Sequence, residues 1–467
     1  MDISINQKFP WKTAICLYFP AFGLMLLFPN AYFWDDWSSK LVSPALEVSY
    51  WREQGFPPWD YFVPITLFGR SPMLIRTATF IIFFVCAILV HRILKYAAFV
   101  EVNLRRIITL LFLVLPINSA RVSLDNFHYS FALFMFFMGW CLLVSGQSKW
   151  TRMSSIVFFL ISFSVLSFLV FFLAPVLHLY SLELKRPNAN RFSSAIQPAI
   201  FLALAPTYWI FTKIQFPPKA ELQDYYLPQL SGVIRGLTLL CMSGLFLERA
   251  VRRSSVSNVN PRTTIAVGLF MLALGSAPYI SSGRLVDLSE WMLNFVPSQS
   301  DWDSRHQLLL GLGFALAIAG SLQAIGLPNS RPFQNLVLAS CVLLNFTFMH
   351  GYWLDSIKQS ELIEQFSKSE QLQSGKFVMF DDLTTRFNAR GREYRSYEWN
   401  GIMSKSFGDD TRKYVKFSYI DCKNNSLEQP DLLVTIFANR GRFLSTLTGA
   451  IGIGITVETV APCTIHQ

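Results

Sequence analysis

Residues 11–37 read WKTAICLYFPAFGLMLLFPNAYFWDDW, an apolar run followed at once by two aspartates set between tryptophans. At about 1.5 Å per helical residue, the run from Trp11 to Pro29 nearly covers a hydrocarbon layer roughly 30 Å thick. No small-residue cleavage site closes it before Pro29 and Asn30, so it is expected to stay in place as a signal anchor. Asp35 and Asp36 then stand just beyond the lipid, where a carboxylate is costly unless it is solvated, paired or metal-bound.

Runs of the same character recur at about 73–92, 107–118, 128–146, 154–182, 196–214, 231–248, 265–281, 306–324 and 334–353. The stretch 154–182 is too long for one ordinary span, and basic residues stand at both of its ends: Lys149 and Arg152 before it, Lys185, Arg186 and Arg191 after it. Both ends therefore read as cytoplasmic, and the stretch is expected to split near Ser164 to Ser167 into two short tilted helices. The expected fold is an all-α polytopic membrane protein with about eleven transmembrane helices.

Composition agrees. Of 467 residues, 52% are hydrophobic and only 15% charged, where a soluble chain carries about a quarter. The net charge of +10 sits in short clusters between apolar runs, which is a topology signal and excludes a nucleic-acid reading. Clusters such as Arg92, Lys95, Arg105 and Arg106, or Arg249, Arg252, Arg253 and Arg262, mark one side; the other loops carry fewer cations over longer stretches. The N-terminus is accordingly expected in the cytoplasm of a bacterial inner membrane, and the C-terminal segment in the periplasm.

After about Leu354 the chain turns polar. Asp355 to Gln373 reads as an amphipathic helix, and 376–380, 432–437 and 453–460 as short strands, giving a membrane domain over 1–354 and a small extracytoplasmic α/β domain over 355–467. Five of the seven cysteines lie inside apolar runs; Cys422 and Cys463 alone could pair in an oxidising compartment.

The candidate chemistry gathers on the outer side. The first outside loop, about 29–72, is rich in Trp, Tyr, Phe and Pro and is expected to lie along the headgroups, with Trp34 and Trp37 flanking the two aspartates. Asp301-Trp302-Asp303-Ser304-Arg305-His306 could hold a phosphate, since a guanidinium offers forked donors and a protonated imidazole adds another. The plainer reading pairs Arg305 with Asp303 or Asp301. The loop from Arg121 to His128 adds Asp125 and His128, and the loop from Lys219 to Tyr226 adds Tyr225 and Tyr226; loop solvation alone would also account for either. Arg76 and Arg235, one turn inside their spans, either snorkel outward or reach a lipid phosphate. Walker, CxxC and HExxH motifs are absent from the sequence.

With its aspartate pair early in the first outside loop, its span count and its outer soluble domain, the chain resembles the GT-C superfamily of polytopic glycosyltransferases. The stretch Trp302 to Leu310, with its Ser-Arg-His-Gln-Leu-Leu-Leu, is similar to segments in bacterial and archaeal membrane proteins grouped with these enzymes. The resemblance implies a polyprenyl-phosphate-linked sugar as donor, membrane lipids around it, and a glycan, lipid or protein as acceptor. It implies Asp35 or Asp36 as general base, Asp125 as a second acid, and Arg305 and His306 stabilising the leaving phosphate, with Arg76 and Arg235 as further phosphate ligands. Trp34, Trp37, His128, Tyr225 and Tyr226 would line the substrate. A divalent metal, Mg or Mn, held by Asp35 and Asp36 is compatible with this chemistry but not required by it. Two other readings share the setting: an O-antigen polymerase or ligase, which would concentrate Arg and His in a large late loop, and a flippase of lipid-linked glycans, which would place ionisable residues near mid-membrane.

Overall fold

The computed structural model describes residues 8–37, 44–53, 55, 57, 71–97, 99–146, 148–184, 191–217, 230–252, 261–282, 301–326, 331–375, 377–408, 413–414, 432–438 and 455–460. Helix α1 (Trp11–Phe22) contains Pro20, which has no N–H to donate, and the chain tightens into a 3-10 turn at Gly23–Leu27 before the helix ends at Phe28. The first loop holds α2 (Pro44–Glu53). Helix α3 (Pro72–Lys95) starts where Ser71 accepts the Leu74 N–H and Pro72 occupies the first turn. Helix α4 (Val102–Val114) stops because Pro116 forces Leu115 out of the helical region.

Helix α5 (Phe127–Ser145) is followed by α6 (Lys149–Ser162), whose first turn is capped by Ser148. The helix breaks at 163–166 and resumes as α7 (Ser167–Phe171) and α8 (Leu173–Glu183), the interruption that the length of this apolar stretch demanded. Then follow α9 (Arg191–Leu202), α10 (Leu204–Gln215), α11 (Leu230–Arg252) and α12 (Pro261–Ser281). A 3-10 segment (Asp301–Leu310) leads into α13 (Gly311–Ala324), and α14 (Arg331–Lys368) is the longest helix described.

Among the described residues, seven helical segments are long and apolar enough to cross a bilayer: 72–95, 127–145, 194–215, 230–251, 261–281, 305–324 and 332–368. Shorter apolar stretches lie at 11–27, 150–162 and 167–183. Large side chains such as Leu230, Ile214 and Met242 point outward, which only a lipid surrounding makes favourable.

Helices α11, α12 and α13 pack side by side. The α12/α13 contact is backbone against backbone: a Cβ on Gly268 would lie 2.5 Å from the Ala317 nitrogen, and one on Gly313 would lie 2.8 Å from the Leu272 nitrogen.

Helix α14 does not stop near 354, where the sequence suggested that a span ends and a new helix begins. It runs on to Lys368 and is followed by the short α15 (Glu370–Ser374). On its distal part rests a four-stranded sheet in the order β2–β1–β3–β4, formed by β1 (Phe377–Asp382), β2 (Lys413–Tyr414), β3 (Leu432–Ala438) and β4 (Ile455–Val460). Strand β1 runs parallel to β2 and β3, while β4 is antiparallel to β3. Helix α16 (Ser396–Phe407), between β1 and β2, packs on α14.

Two hydrophobic cores result. The larger fills the helical bundle; the smaller joins Leu362 and Phe366 of α14 to Phe380, Trp399 and Val434 of the sheet unit, and it includes Trp37. Tyr225, Tyr226, Cys422 and Cys463 lie outside the described residues, and among those described Cys16, Cys86, Cys141, Cys241 and Cys341 are free thiols. Gly268→Val is expected to destabilise the protein by about 1–3 kcal/mol by forcing α12 and α13 apart, read as a lower unfolding midpoint in detergent.

Candidate functional site at the Asp35-Asp36 turn

The chain leaving α1 is folded back on itself by Arg76. This side chain is 1% exposed; its Nη1 donates to the carbonyls of Phe28 (2.8 Å) and Pro29 (3.2 Å), its Nη2 to Ala31 (2.5 Å), and its Nε to Val122 (3.2 Å). The guanidinium also lies over the rings of Phe28 and Phe33. The fork geometry of arginine suits such multiple anchoring, and it places Arg76 inside the loop rather than on a lipid-facing surface.

Asp36 is the next fixed point. It is 2% exposed, and its carboxylate accepts from the Phe33 N–H (3.0 Å), the Ser123 hydroxyl and the Asp125 N–H (3.1 Å), with Arg76 4.0 Å away. Burial pushes its pKa up; Arg76 and these hydrogen bonds pull it back. Asp35, by contrast, is half-buried, and Tyr397 at the start of α16 lies within electrostatic reach of it. Burial, and after it the nearby charges of Asp35 and Glu398, raise the Tyr397 hydroxyl above the ordinary phenol range. The two adjacent carboxylates thus have different environments: one buried and holding three donors, one half-buried.

Trp34, between the arginine-anchored carbonyls and the aspartates, adopts φ +51°. A bulky residue in the left-handed region costs about 1–3 kcal/mol and persists only where its surroundings enforce it. Here the Trp34 N–H donates to Glu398 Oε1 at 3.2 Å, and Arg392 lies over its indole at 5.2 Å. Glu398 is fully buried and paired with Arg392 through two bonds of 2.6 Å, an arrangement that drives the Arg392 pKa above its ordinary value despite burial. Gln359 of α14 takes both polar groups of Tyr32, accepting from its N–H (3.3 Å) and donating to its carbonyl (2.8 Å). Trp37 is packed so tightly on α16 that a Cβ on Gly401 would lie 2.3 Å from its ring.

On the other flank, the 3-10 turn Ser119–Val122 is fixed by Arg121, whose guanidinium donates to the Ile117 and Asn118 carbonyls and sits over Phe22 and Phe83. Asn118, at φ +53°, gives its N–H to Gln307 Oε1 (3.3 Å), which ties this turn to the 301–310 segment. Asp125 is brought to Asp36 through its backbone N–H, and His128 Nδ1 meets the Asp125 carbonyl at 2.6 Å, the role of a protonated nitrogen. Arg305 lies within electrostatic reach of His128, and its Nε donates to His306 Nε2 at 3.3 Å. His306 packs at a tilt against the Tyr279 ring.

The structure therefore brings together Asp35, Asp36, Asp125, His128, Arg305 and His306 at one end of the bundle. It places Trp37 in the second core and leaves Arg235 exposed on α11, apart from this cluster. Ser123, Gln307, Gln359, Arg392, Tyr397 and Glu398 were not singled out in the sequence. Only their tertiary contacts reveal them. Among the described residues no group of three or more His, Cys, Asp or Glu is close enough to hold a metal ion.

No protein-family model matches the chain, and no curated protein matches it. Among solved structures, the crystal structure of ArnT from Cupriavidus metallidurans bound to undecaprenyl phosphate aligns over 97% of each chain at 12% identity, with a TM-score of 0.35. A likeness that loose carries no argument about this chain.

An amide at Asp36 would turn an NH2 group toward one of three donors. Asp36→Asn is therefore expected to cost about 1–3 kcal/mol and Ser123→Ala about 1 kcal/mol, measured as lower thermal midpoints of the purified protein.

Proposed function

We propose that the protein is a membrane glycosyltransferase that moves a sugar from a polyprenyl-phosphate-linked donor to a hydroxyl of a glycan, lipid or protein acceptor at the outer face of the bacterial inner membrane. The observation that supports this reading is the division of labour between Asp36 and Asp35. Asp36 is buried and already accepts from Phe33 of its own turn and from Ser123 and Asp125 of the segment before α5, whereas Asp35 sits half-buried beside it.

In this reading Asp35 accepts the proton of the acceptor hydroxyl as that oxygen attacks the anomeric carbon, and the bond to the polyprenyl phosphate breaks. Asp36 orients the turn and does not touch the acceptor. Arg305 faces the negative charge that builds on the departing phosphate, and His306 and His128 flank it. Asp125 stands behind Asp36 as a second carboxylate at the same end. The residues at the turn can position an acceptor without a metal, although a divalent ion recruited by Asp35 would serve the same orientation. The seven long apolar segments supply the lipid setting that a polyprenyl donor requires.

Asp35→Asn is expected to reduce transfer from a radiolabelled polyprenyl-phosphate sugar in membranes by about 100-fold or more, as loss of a general base does. Wild-type rates in this variant would remove Asp35 from the mechanism. Arg305→Ala is expected to raise the apparent donor KM by about tenfold, equivalent to roughly 1.4 kcal/mol of lost donor binding; an unchanged KM would count against a phosphate role.

A further inference from the structure

We infer that Glu398 is a positioning residue for the Asp35-Asp36 turn: by taking the Trp34 N–H it holds Trp34 in its left-handed conformation, and the sheet unit thereby sets the direction in which Asp35 points. This rests on the glycosyltransferase reading for its catalytic consequence, though not for its geometry.

The turn has two halves with separate anchors. Arg76 and the 122–125 segment fix the carbonyls of Phe28, Pro29 and Ala31 and the carboxylate of Asp36. Between them the backbone passes through Trp34 at φ +51°, and Glu398, 364 positions later, takes the Trp34 N–H. If Trp34 relaxed to negative φ, the peptide between Trp34 and Asp35 would rotate and swing Asp35 away while Asp36 stayed bound. The left-handed state is therefore what makes adjacent carboxylates diverge into a buried and a marginal one.

Glu398 is suited to hold that state. Its carboxylate is fully buried and is itself fixed by Arg392 on two sides and by the Arg395 N–H (2.9 Å), so it presents one oxygen to Trp34 in a set place. Arg392 then covers the indole, and Tyr394, which donates to Asp355 of α14, fixes the strand of chain that carries Arg392. One residue before Glu398, Tyr397 lies within electrostatic reach of Asp35. A single helical turn of α16 thus reaches both the strained residue and its neighbouring carboxylate. Among the described residues of this loop, Trp34 is the one non-glycine residue in the left-handed region, and it is the one Glu398 reaches.

The test uses the full-length chain in membranes, with Glu398→Gln, which keeps shape but weakens both the Arg392 pair and the bond to Trp34. Transfer from the radiolabelled polyprenyl-phosphate sugar is expected to fall at least tenfold in kcat with donor KM within twofold, because Arg305 is untouched. Independently of any activity, an Asp35→Cys thiol in a background free of native cysteines reports the direction of residue 35; adding Glu398→Gln is expected to change its labelling rate by a membrane-impermeant maleimide at least threefold. An unchanged labelling rate in folded protein overturns the inference. A changed labelling rate in a protein whose parent shows no transfer supports the positioning role while removing the glycosyltransferase reading. Should Glu398→Gln fail to fold, Trp34→Gly, which adopts positive φ freely, is introduced with it. Recovery of folded protein in the double variant supports the inference, and its absence overturns it.

Discussion

A carboxylate taken out of water must find donors, and Asp36 finds three in two distant segments of chain. Its bonds to Ser123 and Asp125 pin the exit of α1 to the loop that precedes α5, while Arg76 reaches from α3 to the same exit. Three helices are thus tied through one short turn. Remove the carboxylate and three donors lose their partner together, which is why the site is built around Asp36 although Asp35 is the group left at its margin.

The second constraint is the long helix α14. Because it continues from the bundle to Lys368, it carries Asp355, Lys358 and Gln359 into the base of the sheet unit as a rigid extension. Lys358 binds Asp382 at the end of β1 and the Asn388 side chain, so a fully buried ammonium is satisfied by the sheet unit rather than by water. Gln359 meanwhile meets the backbone of Tyr32. The same helix therefore fixes the sheet unit and the loop to each other, and Trp37 completes the joint by burying its indole in the smaller core. Such a joint holds the aspartate turn against a rigid body on each side, the condition under which a left-handed Trp34 can persist.

The other flank relies on a different device. The 301–310 segment is 3-10, and through Gln307 it grips the turn at Asn118, bringing Arg305 and His306 to the end of the bundle that holds Asp125 and His128. Close packing of α12 on α13 at Gly268 and Gly313 sets where that segment ends, because helices in van der Waals contact along their backbones leave little room to slide.

What the sequence determined by itself follows from local pattern. Long apolar runs, basic clusters, the interruption within 154–182 and the alternating stretches that became β1, β3 and β4 are all properties of neighbouring residues, and neighbouring residues suffice to decide them. Asp35 and Asp36 were legible too, since two carboxylates at a membrane boundary are conspicuous on cost alone. Tertiary structure decided which aspartate is buried, that Arg76 binds loop carbonyls, that Trp37 leaves the loop for a second core, and that Glu398 and Tyr397 meet the turn. Each of those depends on a contact between residues tens to hundreds of positions apart. In sequence Glu398 is one acid among many in a polar stretch; only burial beside Arg392 and the bond it accepts from the Trp34 N–H give it a role.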